Sequence, residues 1–386
     1  RLEFNAADTV SRSAVQLLRW RTLYDGLPEA ALDPTTYFRF QRDTVQQGEP
    51  ITLQIAARNL SFENMDSLLV RYVLTDAANN LVSRSLRVRP LPGKDTLVVS
   101  LHIDTRNLTG RQKISLEINP DNDQPELSHH NNVGFYEFFV ERDKRNPLVE
   151  VTFDGTPIMD GDLVSAKPFI AISLRDENHF LALADTSVLK LLVRYPDATD
   201  VTAIPFSDPR VRFIPADASD LTRQNRAKVE FTPHFLQSGT YELTVQGRDV
   251  SGNASGNLDY RVSFEVETAA KISNVFNYPN PFSTSTQFVY TLTGEEPPAQ
   301  LTIRIMTVSG RVVREITQAE LGPLKIGTHR TDFVWDGTDT YGDRLANGVY
   351  LYQVFARDAQ GKDYEKYDNG TDQFFKNRVG KLVILR

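Results

Sequence analysis

The sequence predicts an all-β protein built from three tandem β-sandwiches. From residue 37 onward, apolar and polar residues alternate along short segments, as at Ile51, Leu53 and Ile55. A period of two is typical of half-buried strands. Gly, Pro, Asn and Asp separate these segments at fairly regular spacing, which favours antiparallel sandwiches. No segment has a convincing helical period, and 22 Phe and 14 Tyr against three Met agree with a strand-rich chain.

The domain organisation follows from block length. The chain divides into blocks of about 100 to 120 residues, the size of an immunoglobulin-like sandwich. We place these sandwiches at 37–141, 147–267 and 270–386. The charged stretch "ERDKRNP", residues 141–147, ends in proline and reads as the first linker. The blocks share no register, so the prediction is three related architectures and not a sequence repeat.

Residues 1–36 lack the strands needed to close a domain. They form either a loosely docked leader or the tail of a missing upstream domain. Leu17, Leu18 and Trp20 would be costly to expose, which favours the second interpretation. The chain begins at Arg1 without a charged-then-apolar leader, so we expect it to belong to a longer protein.

Composition and motifs exclude several functions. The absence of Cys removes disulfides, thiolate metal sites and a Cys nucleophile from these residues. A net charge of −7 argues against a nucleic-acid partner, and no apolar run is long enough for a transmembrane helix. Phosphate loops, dinucleotide turns, HExxH and GxSxG are absent. We expect no enzymatic activity and no catalytic or cofactor-binding residue in this segment.

Calcium is the one ligand with support in the sequence. "RDENH" (175–179) and "RDVSGN" (248–253) each follow a strand-like segment. Loops at one end of a sandwich could gather Asp176, Glu177, Asn178 and Asp249 as oxygen ligands. The alternative is that Asp, Asn, Ser and Gly simply form turns, and the spacing is unlike an EF-hand. Both interpretations stay open.

The third block carries the most specific pattern. It contains "NYPNPFSTSTQFVYTL" (277–292), a Gly310 hairpin, "WDGTD" (335–339), "LANGVYLY" (345–352) and the final "KLVILR" (381–386). We expect the prolines to hold an extended approach to the sandwich, Trp335 to fill the core, and "KLVILR" to be a strand covered on both faces. The residues that carry the pattern are Pro279, Asn280, Pro281, Phe282, Gly310, Trp335, Asp336, Gly337, Gly348, Tyr350 and Lys381.

Two families resemble the first two blocks. "QQGEPITLQIAARNLS" (46–61) and "EINPDNDQPELSHHNNVGFYEFFV" (117–140) resemble the bacterial CARDB sandwich. "SGTYELTVQGRDVSGNAS" (238–255) is similar to the closing strands of bacterial immunoglobulin-like domains, with Tyr241 as a candidate corner tyrosine.

The third block resembles the C-terminal sandwich of type IX secretion substrates of Bacteroidetes, which is akin to the FlgD immunoglobulin-like domain. This resemblance implies an exported, cell-surface or outer-membrane-associated protein. Its partners would be the type IX translocon and an outer-membrane shuttle protein. The insertion at 357–380 and "GTDQFFK" are similar to the PorU-like subgroup of gingipain-like cysteine peptidases/sortases. Their catalytic His and Cys would lie upstream, so no catalytic residue is carried over.

Two functions follow from the resemblances. The first is a non-catalytic region of a surface peptidase, acting as spacer and docking domain. The alternative is an adhesin-like exported cargo, in which the first two sandwiches bind a ligand and the last is a cleavable sorting signal.

Overall fold

A computed structural model describes residues 26–40, 42–366, 375–376 and 378–386, together with residues 10, 19 and 21. It contains three immunoglobulin-like β-sandwiches, which confirms the predicted fold class. The chain divides into two compact units, 1–142 and 143–386. The first unit holds one sandwich and the second holds two. Within the described residues, no helix has the length and apolar character needed to cross a membrane.

The first sandwich consists of a four-stranded and a five-stranded sheet. In chain order its strands are β1 (Ala30–Leu32), β2 (Phe38–Phe40), β3 (Thr44–Gln46), β4 (Ile51–Asn59), β5 (Met65–Thr75), β6 (Leu81–Leu91), β7 (Thr96–Ile103), β8 (Gly110–Ile118) and β9 (Val133–Glu141). One sheet has the order β1-β4-β2 with β7 also paired to β4, and the other has the order β3-β9-β8-β5-β6. Ile51, Leu53 and Ile55 are buried in the core between these sheets, as their alternation predicts.

The predicted boundary after residue 36 is too late. Strand β1 pairs antiparallel with β4, so Ala30 lies opposite Asn59. Ala30 is completely buried in the core of the first sandwich. Residues 30–32 therefore belong to this sandwich and not to the tail of another domain. Leu17, Leu18 and Trp20, on which that interpretation rested, lie outside the described residues.

The second sandwich also has a four-stranded and a five-stranded sheet. Its strands are β10 (Leu148–Phe153), β11 (Asp162–Val164), β12 (Ile170–Asp176), β13 (Leu189–Arg194), β14 (Thr202–Ile204), β15 (Val211–Ile214), β16 (Asn225–Phe231), β17 (Gly239–Gly247) and β18 (Tyr260–Val266), with a 3₁₀ turn at Thr186–Val188. The sheet orders are β10-β12-β16-β15 and β11-β18-β17-β13-β14. Tyr241 packs against Phe235 and Phe264 in the core, and its hydroxyl donates to the Gln237 carbonyl at 2.8 Å. That bond is the one expected of a corner tyrosine.

The third sandwich also has a four-stranded and a five-stranded sheet, but its strands are connected in a different order. Its elements are β19 (Lys271–Tyr278), β20 (Gln287–Leu292), β21 (Gln300–Thr307), β22 (Val312–Ile316), α1 (Gln318–Leu321), β23 (Gly327–Arg330), β24 (Gly348–Arg357), β25 (Glu365–Lys366), β26 (Phe375–Lys376) and β27 (Val379–Ile384). The sheet orders are β23-β20-β19-β25 and β22-β21-β24-β27-β26. Trp335 is buried in the core between the sheets, as predicted.

Three expectations for the third sandwich are wrong. The "NYPNPF" stretch is not the approach to the sandwich, because its first two residues end β19 and β19 already pairs with β20. Residues 279–281 form bends and not an extended approach, and the peptide bonds before both prolines are cis. Strand β27 alternates: Leu382 and Ile384 are buried whereas Lys381 is exposed, so the core covers one face only.

Candidate functional site

Three aspartates from separate parts of the second unit meet at one end of the second sandwich. Asp143 precedes β10, Asp176 ends β12, and Asp249 follows β17. One carboxylate oxygen of each lies within 4.8 Å of the others. Strand β12 lies beside β10 in one sheet and β17 belongs to the other sheet, so the cluster bridges both layers of the sandwich.

Two asparagine side chains orient these carboxylates. The Asn178 amide donates to Asp143 Oδ2 at 2.9 Å, while its own carbonyl oxygen accepts from the backbone N–H groups of Phe180 and Leu181. The Asn253 amide donates to Asp249 Oδ2 at 2.6 Å and to the Asp143 carbonyl at 3.1 Å. The two asparagine amides thus orient the carboxylates of Asp143 and Asp249.

Asp176 is the most constrained member of the cluster. Only 6% of the residue is exposed, and its Oδ1 has no hydrogen-bond partner. Burial, and next the negative charge of Asp143, raise the pKa of Asp176 to about 6. Burial also raises the pKa of Asp249, against the hydrogen bonds from Asn253. The three carboxylates thus repel one another in a poorly solvated place.

The structure changes the membership of the predicted calcium set. Asp176 and Asp249 come together as predicted, and Asn178 lies beside them as a hydrogen-bond donor. Glu177 does not join them, because its exposed carboxylate pairs with Arg145. Glu177 lies just beyond the end of β12, and its side chain faces Arg145 instead of the aspartates. Asp143 is new to the set; it lies in the charged stretch that the sequence presents as a linker.

A second set of residues surrounds the last strand of the third sandwich. Asn280 donates from Nδ2 to the Lys381 carbonyl and accepts from the Val383 N–H at Oδ1, both at 3.0 Å. The backbone of Phe282 continues this pairing, donating to the Val383 carbonyl at 3.1 Å and accepting from the Leu385 N–H at 2.9 Å. The "NPF" segment therefore pairs with β27 across about a hundred residues of sequence.

Arg386 completes this arrangement. Its guanidinium donates to the carbonyls of Asp336 at 2.7 Å, Leu345 at 2.9 Å and Ser283 at 3.2 Å. The backbone of Arg386 exchanges two hydrogen bonds with the Asn347 side chain, both at 2.9 Å. We call Asn280, Phe282, Asn347 and Arg386, which hold the last strand in place, the terminal clamp.

The conformation of the "WDG" segment (335–337) allows the Arg386 guanidinium to reach its backbone. Trp335 Nε1 donates to the Thr338 carbonyl at 2.9 Å, and Asp336 Oδ1 accepts from the Thr338 N–H and hydroxyl. Gly337 has a φ of +76°, and a Cβ there would lie 2.7 Å from the Arg386 guanidinium. Glycine is needed here both for the backbone conformation and for the approach of Arg386.

The other predicted motif residues have structural places. Gly310, with a φ of +87°, turns the chain between β21 and β22. Gly348 begins β24, and the Tyr350 hydroxyl donates to the Ala346 carbonyl at 2.9 Å. The Pro279 carbonyl accepts from the Thr286 hydroxyl, and Pro281 lies in the exposed bend before Phe282. The Lys381 side chain is exposed in the middle of β27.

Sequence reasoning missed Asn347 and Arg386. Neither residue type signals a clamp, because an exposed Asn or Arg near a turn is ordinary. Their roles depend on three segments that meet only in the folded sandwich.

Comparison with known families identifies part of the third sandwich. Residues 278–360 match the FlgD Ig-like domain family. This range includes the "NPF", "WDG" and "LANG" segments but not β27. No curated protein matches the chain.

Solved structures give broader but weaker likenesses. A CARDB domain from Pyrococcus furiosus, in complex with di-metal ions, is 18% identical over 33% of this chain and 99% of that chain, with a TM-score of 0.25. Dimeric latent PorU from Porphyromonas gingivalis is 15% identical over 93% of this chain and 34% of that chain, with a TM-score of 0.25. A tetra-tandem repeat from the extending region of a large adhesion protein is 14% identical over 93% of this chain and 74% of that chain, with a TM-score of 0.26. The alignment thus spans about a third of the PorU chain, and at these values none of the three likenesses bears on function.

Proposed function

We propose that this chain is a non-catalytic region of a cell-surface, gingipain-like cysteine peptidase/sortase. Its first two sandwiches space the enzyme from the outer membrane. Its third sandwich is the domain that the type IX translocon and an outer-membrane shuttle protein recognise. The observation that carries the proposal is the terminal clamp, which joins the separate motif segments of the third sandwich into one surface.

The clamp supports a docking role because three of its four residues lie outside the core, whereas Phe282 packs within it. The core already holds β27 through Leu382 and Ile384. Asn280, Asn347 and Arg386 are exposed and hold β27 in place from outside the core, and the Lys381 side chain is exposed on the outer face of the same strand. Exposed polar residues arranged around a fixed backbone offer directional contacts to a partner, whereas surface polar groups contribute little to stability. The FlgD Ig-like match of residues 278–360 agrees with the resemblance to type IX C-terminal domains, which are akin to that family.

Export of the full chain tests the docking role. The 386 residues, preceded by a cleavable secretory leader, are expressed in a Bacteroidetes host with a working type IX system and in a translocon-deficient strain. We expect surface delivery in the first strain and periplasmic accumulation in the second. Equal surface delivery in both strains would refute the proposal.

A charge reversal at Lys381 tests the proposed surface. Lys381→Glu changes an exposed side chain without touching the core, so the fold is retained while recognition weakens; we expect surface delivery to fall at least several-fold. Lys190→Glu is the matched control, because Lys190 is exposed on β13 of the second sandwich. Identical delivery of both variants would exclude Lys381 from the recognised surface.

Mass spectrometry of the exported form separates the proposal from the adhesin-like cargo. Retention of the third sandwich, with an intact "KLVILR", supports a docking domain. A mature chain that ends near residue 270 would instead identify a cleaved sorting signal. The gene sequence upstream of Arg1 tests the peptidase assignment, which requires a domain with catalytic His and Cys.

A further inference from the structure

We propose that Asp143, Asp176 and Asp249 bind one calcium ion at the loop end of the second sandwich. The three residues each offer a carboxylate oxygen, and these oxygens lie within 4.8 Å of one another. This spacing is suitable for a cation between them, because calcium–oxygen distances are about 2.3–2.6 Å. The inference concerns the second sandwich and is independent of the docking role of the third.

The buried oxygen of Asp176 is the independent observation that points to a ligand. Asp176 is 94% buried, since 6% of its surface is exposed, and Oδ1 has no hydrogen-bond partner. Buried carboxylate oxygens normally have a partner, because leaving one without water or a donor is costly. A cation placed between the three aspartates would coordinate this oxygen and offset the mutual repulsion of the carboxylates.

The donor set favours calcium over other metals. All three ligands are carboxylates, which are hard oxygen donors, and neither His nor Cys belongs to the cluster. They come from three separate segments, and calcium accepts such irregular geometry, whereas magnesium requires a near-ideal octahedron. Asn178 and Asn253 would orient the Asp143 and Asp249 carboxylates from outside, through their amide N–H donors.

Calcium would also fasten the segment before β10. Asp143 lies at the start of the second unit, whereas Asp176 and Asp249 lie at the ends of strands from opposite sheets. One ion shared by all three residues links this segment to both layers of the sandwich. Binding only to the folded state raises the stability of that state by mass action.

The test is thermal unfolding of the complete chain, freed of metal with a chelator and then titrated with calcium chloride. We expect one calcium per chain by calorimetric titration. At a free calcium concentration about a hundredfold above Kd, we expect the Tm of the second unit to rise by about 5–10 °C. An unchanged Tm together with no binding heat would overturn the proposal, and equal stabilisation by magnesium chloride would overturn the choice of calcium.

Two matched variants make the test specific. Asp176→Asn keeps the shape of the side chain but removes a ligand charge, so the calcium-dependent rise in Tm should disappear. In chelator, the same variant should be at least as stable as the parent chain, because it removes a buried, repelled charge. Glu177→Gln is the control and should keep the full calcium response, since Glu177 faces Arg145. A calcium response that survives in Asp176→Asn would refute the site.

Discussion

Tyr352 and Gly380 show how closely two residues can depend on each other. They lie opposite each other on β24 and β27. Tyr352 is 1% exposed, and its hydroxyl donates to the Val275 carbonyl in the facing sheet at 2.6 Å. A Cβ at position 380 would lie 1.9 Å from the tyrosine ring. Glycine is required here for space and not for its backbone angles.

Gly380→Ala should therefore destabilise the third sandwich. The methyl group must displace a fixed, buried ring, and overpacking of this kind costs about 1–3 kcal/mol. Urea unfolding measures the loss. The neighbouring Lys381→Ala, on the exposed face of the same strand, should change stability by less than about 0.5 kcal/mol. Equal effects of the two substitutions would contradict this account of Gly380.

Asp33 offers a test of pH dependence at the residue scale. Its carboxylate accepts hydrogen bonds from the hydroxyls of Thr35 and Thr36 and from both backbone N–H groups. These bonds, the Thr35 hydroxyl first, lower the pKa of Asp33 from 3.8 to about 2. Because the folded state holds the charged form, this carboxylate stabilises the fold above about pH 4. That contribution is lost as the pH falls from 3.8 towards 2.

NMR titration of the Asp33 carboxyl carbon checks this prediction. We expect a midpoint near pH 2, with the signal assigned by its absence from Asp33→Asn. The stability difference between parent and variant should shrink as the pH falls through the same range. A midpoint close to 4 would show that the threonine hydrogen bonds do not hold the charged form.

At the scale of elements, the second and third sandwiches share a tyrosine–backbone hydrogen bond near the start of a strand. Tyr241 in β17 and Tyr350 in β24 each donate a hydroxyl to the carbonyl four residues earlier, at 2.8 and 2.9 Å. Both rings are buried. The bond ties the loop before the strand to the core, so the same corner recurs although the two blocks share no sequence register.

Tyr241→Phe and Tyr350→Phe should each cost about 0.5–1.5 kcal/mol, because each removes one hydrogen bond and no apolar contact. Chemical denaturation measures both. Tyr341→Phe is the control: Tyr341 is exposed, and its substitution should be neutral. A neutral result for both corner variants would show that the hydroxyl bonds do not contribute to stability.

The strands that sequence reasoning found are those with regular alternation, such as β4, β12 and β17. Strand β19 is harder to find, because its pairing with β20 shifts register between Ser273 and Phe276. The shift buries both Ile272 and Val275, three residues apart, and so breaks the period of two. The sequence therefore places the start of the third sandwich near residue 270 but does not predict the strand that leads into "NYPNPF".

The aspartate cluster was only partly predictable from the sequence. Asp176 and Asp249 follow recognisable strands, so their meeting at one end of a sandwich was predictable. Asp143 lies in a charged stretch without alternation, and its position is set by hydrogen bonds from Asn178 and Asn253. Such contacts depend on the folded arrangement of three segments and have no signature in the linear sequence.

At the scale of the molecule, the second and third sandwiches belong to one compact unit, 143–386. Ser165 donates to the Glu295 carbonyl at 2.7 Å, and the Ala166 N–H donates to the Gly294 carbonyl at 3.1 Å. The Glu295 carboxylate also pairs with Lys167 and His234. These polar contacts join the second sandwich to the third within the unit.

Calorimetry of the complete chain should therefore show one transition for residues 1–142 and another for 143–386. If the polar contacts between the second and third sandwiches make them unfold as one unit, Gly380→Ala in the third sandwich and calcium at the second should move the same transition in opposite directions. The transition of the first unit should respond to neither change. A separate transition that moves with Gly380→Ala but not with calcium would contradict this coupling.

The terminal clamp exists only in the folded third sandwich. Its residues lie around positions 280, 347 and 386, which are adjacent only when the third sandwich has formed. An unfolded or misfolded chain presents these residues in unrelated fragments. A receptor that binds the assembled terminal clamp would therefore bind only chains whose third sandwich has folded. Recognition for delivery and selection of correctly folded chains would then be a single step.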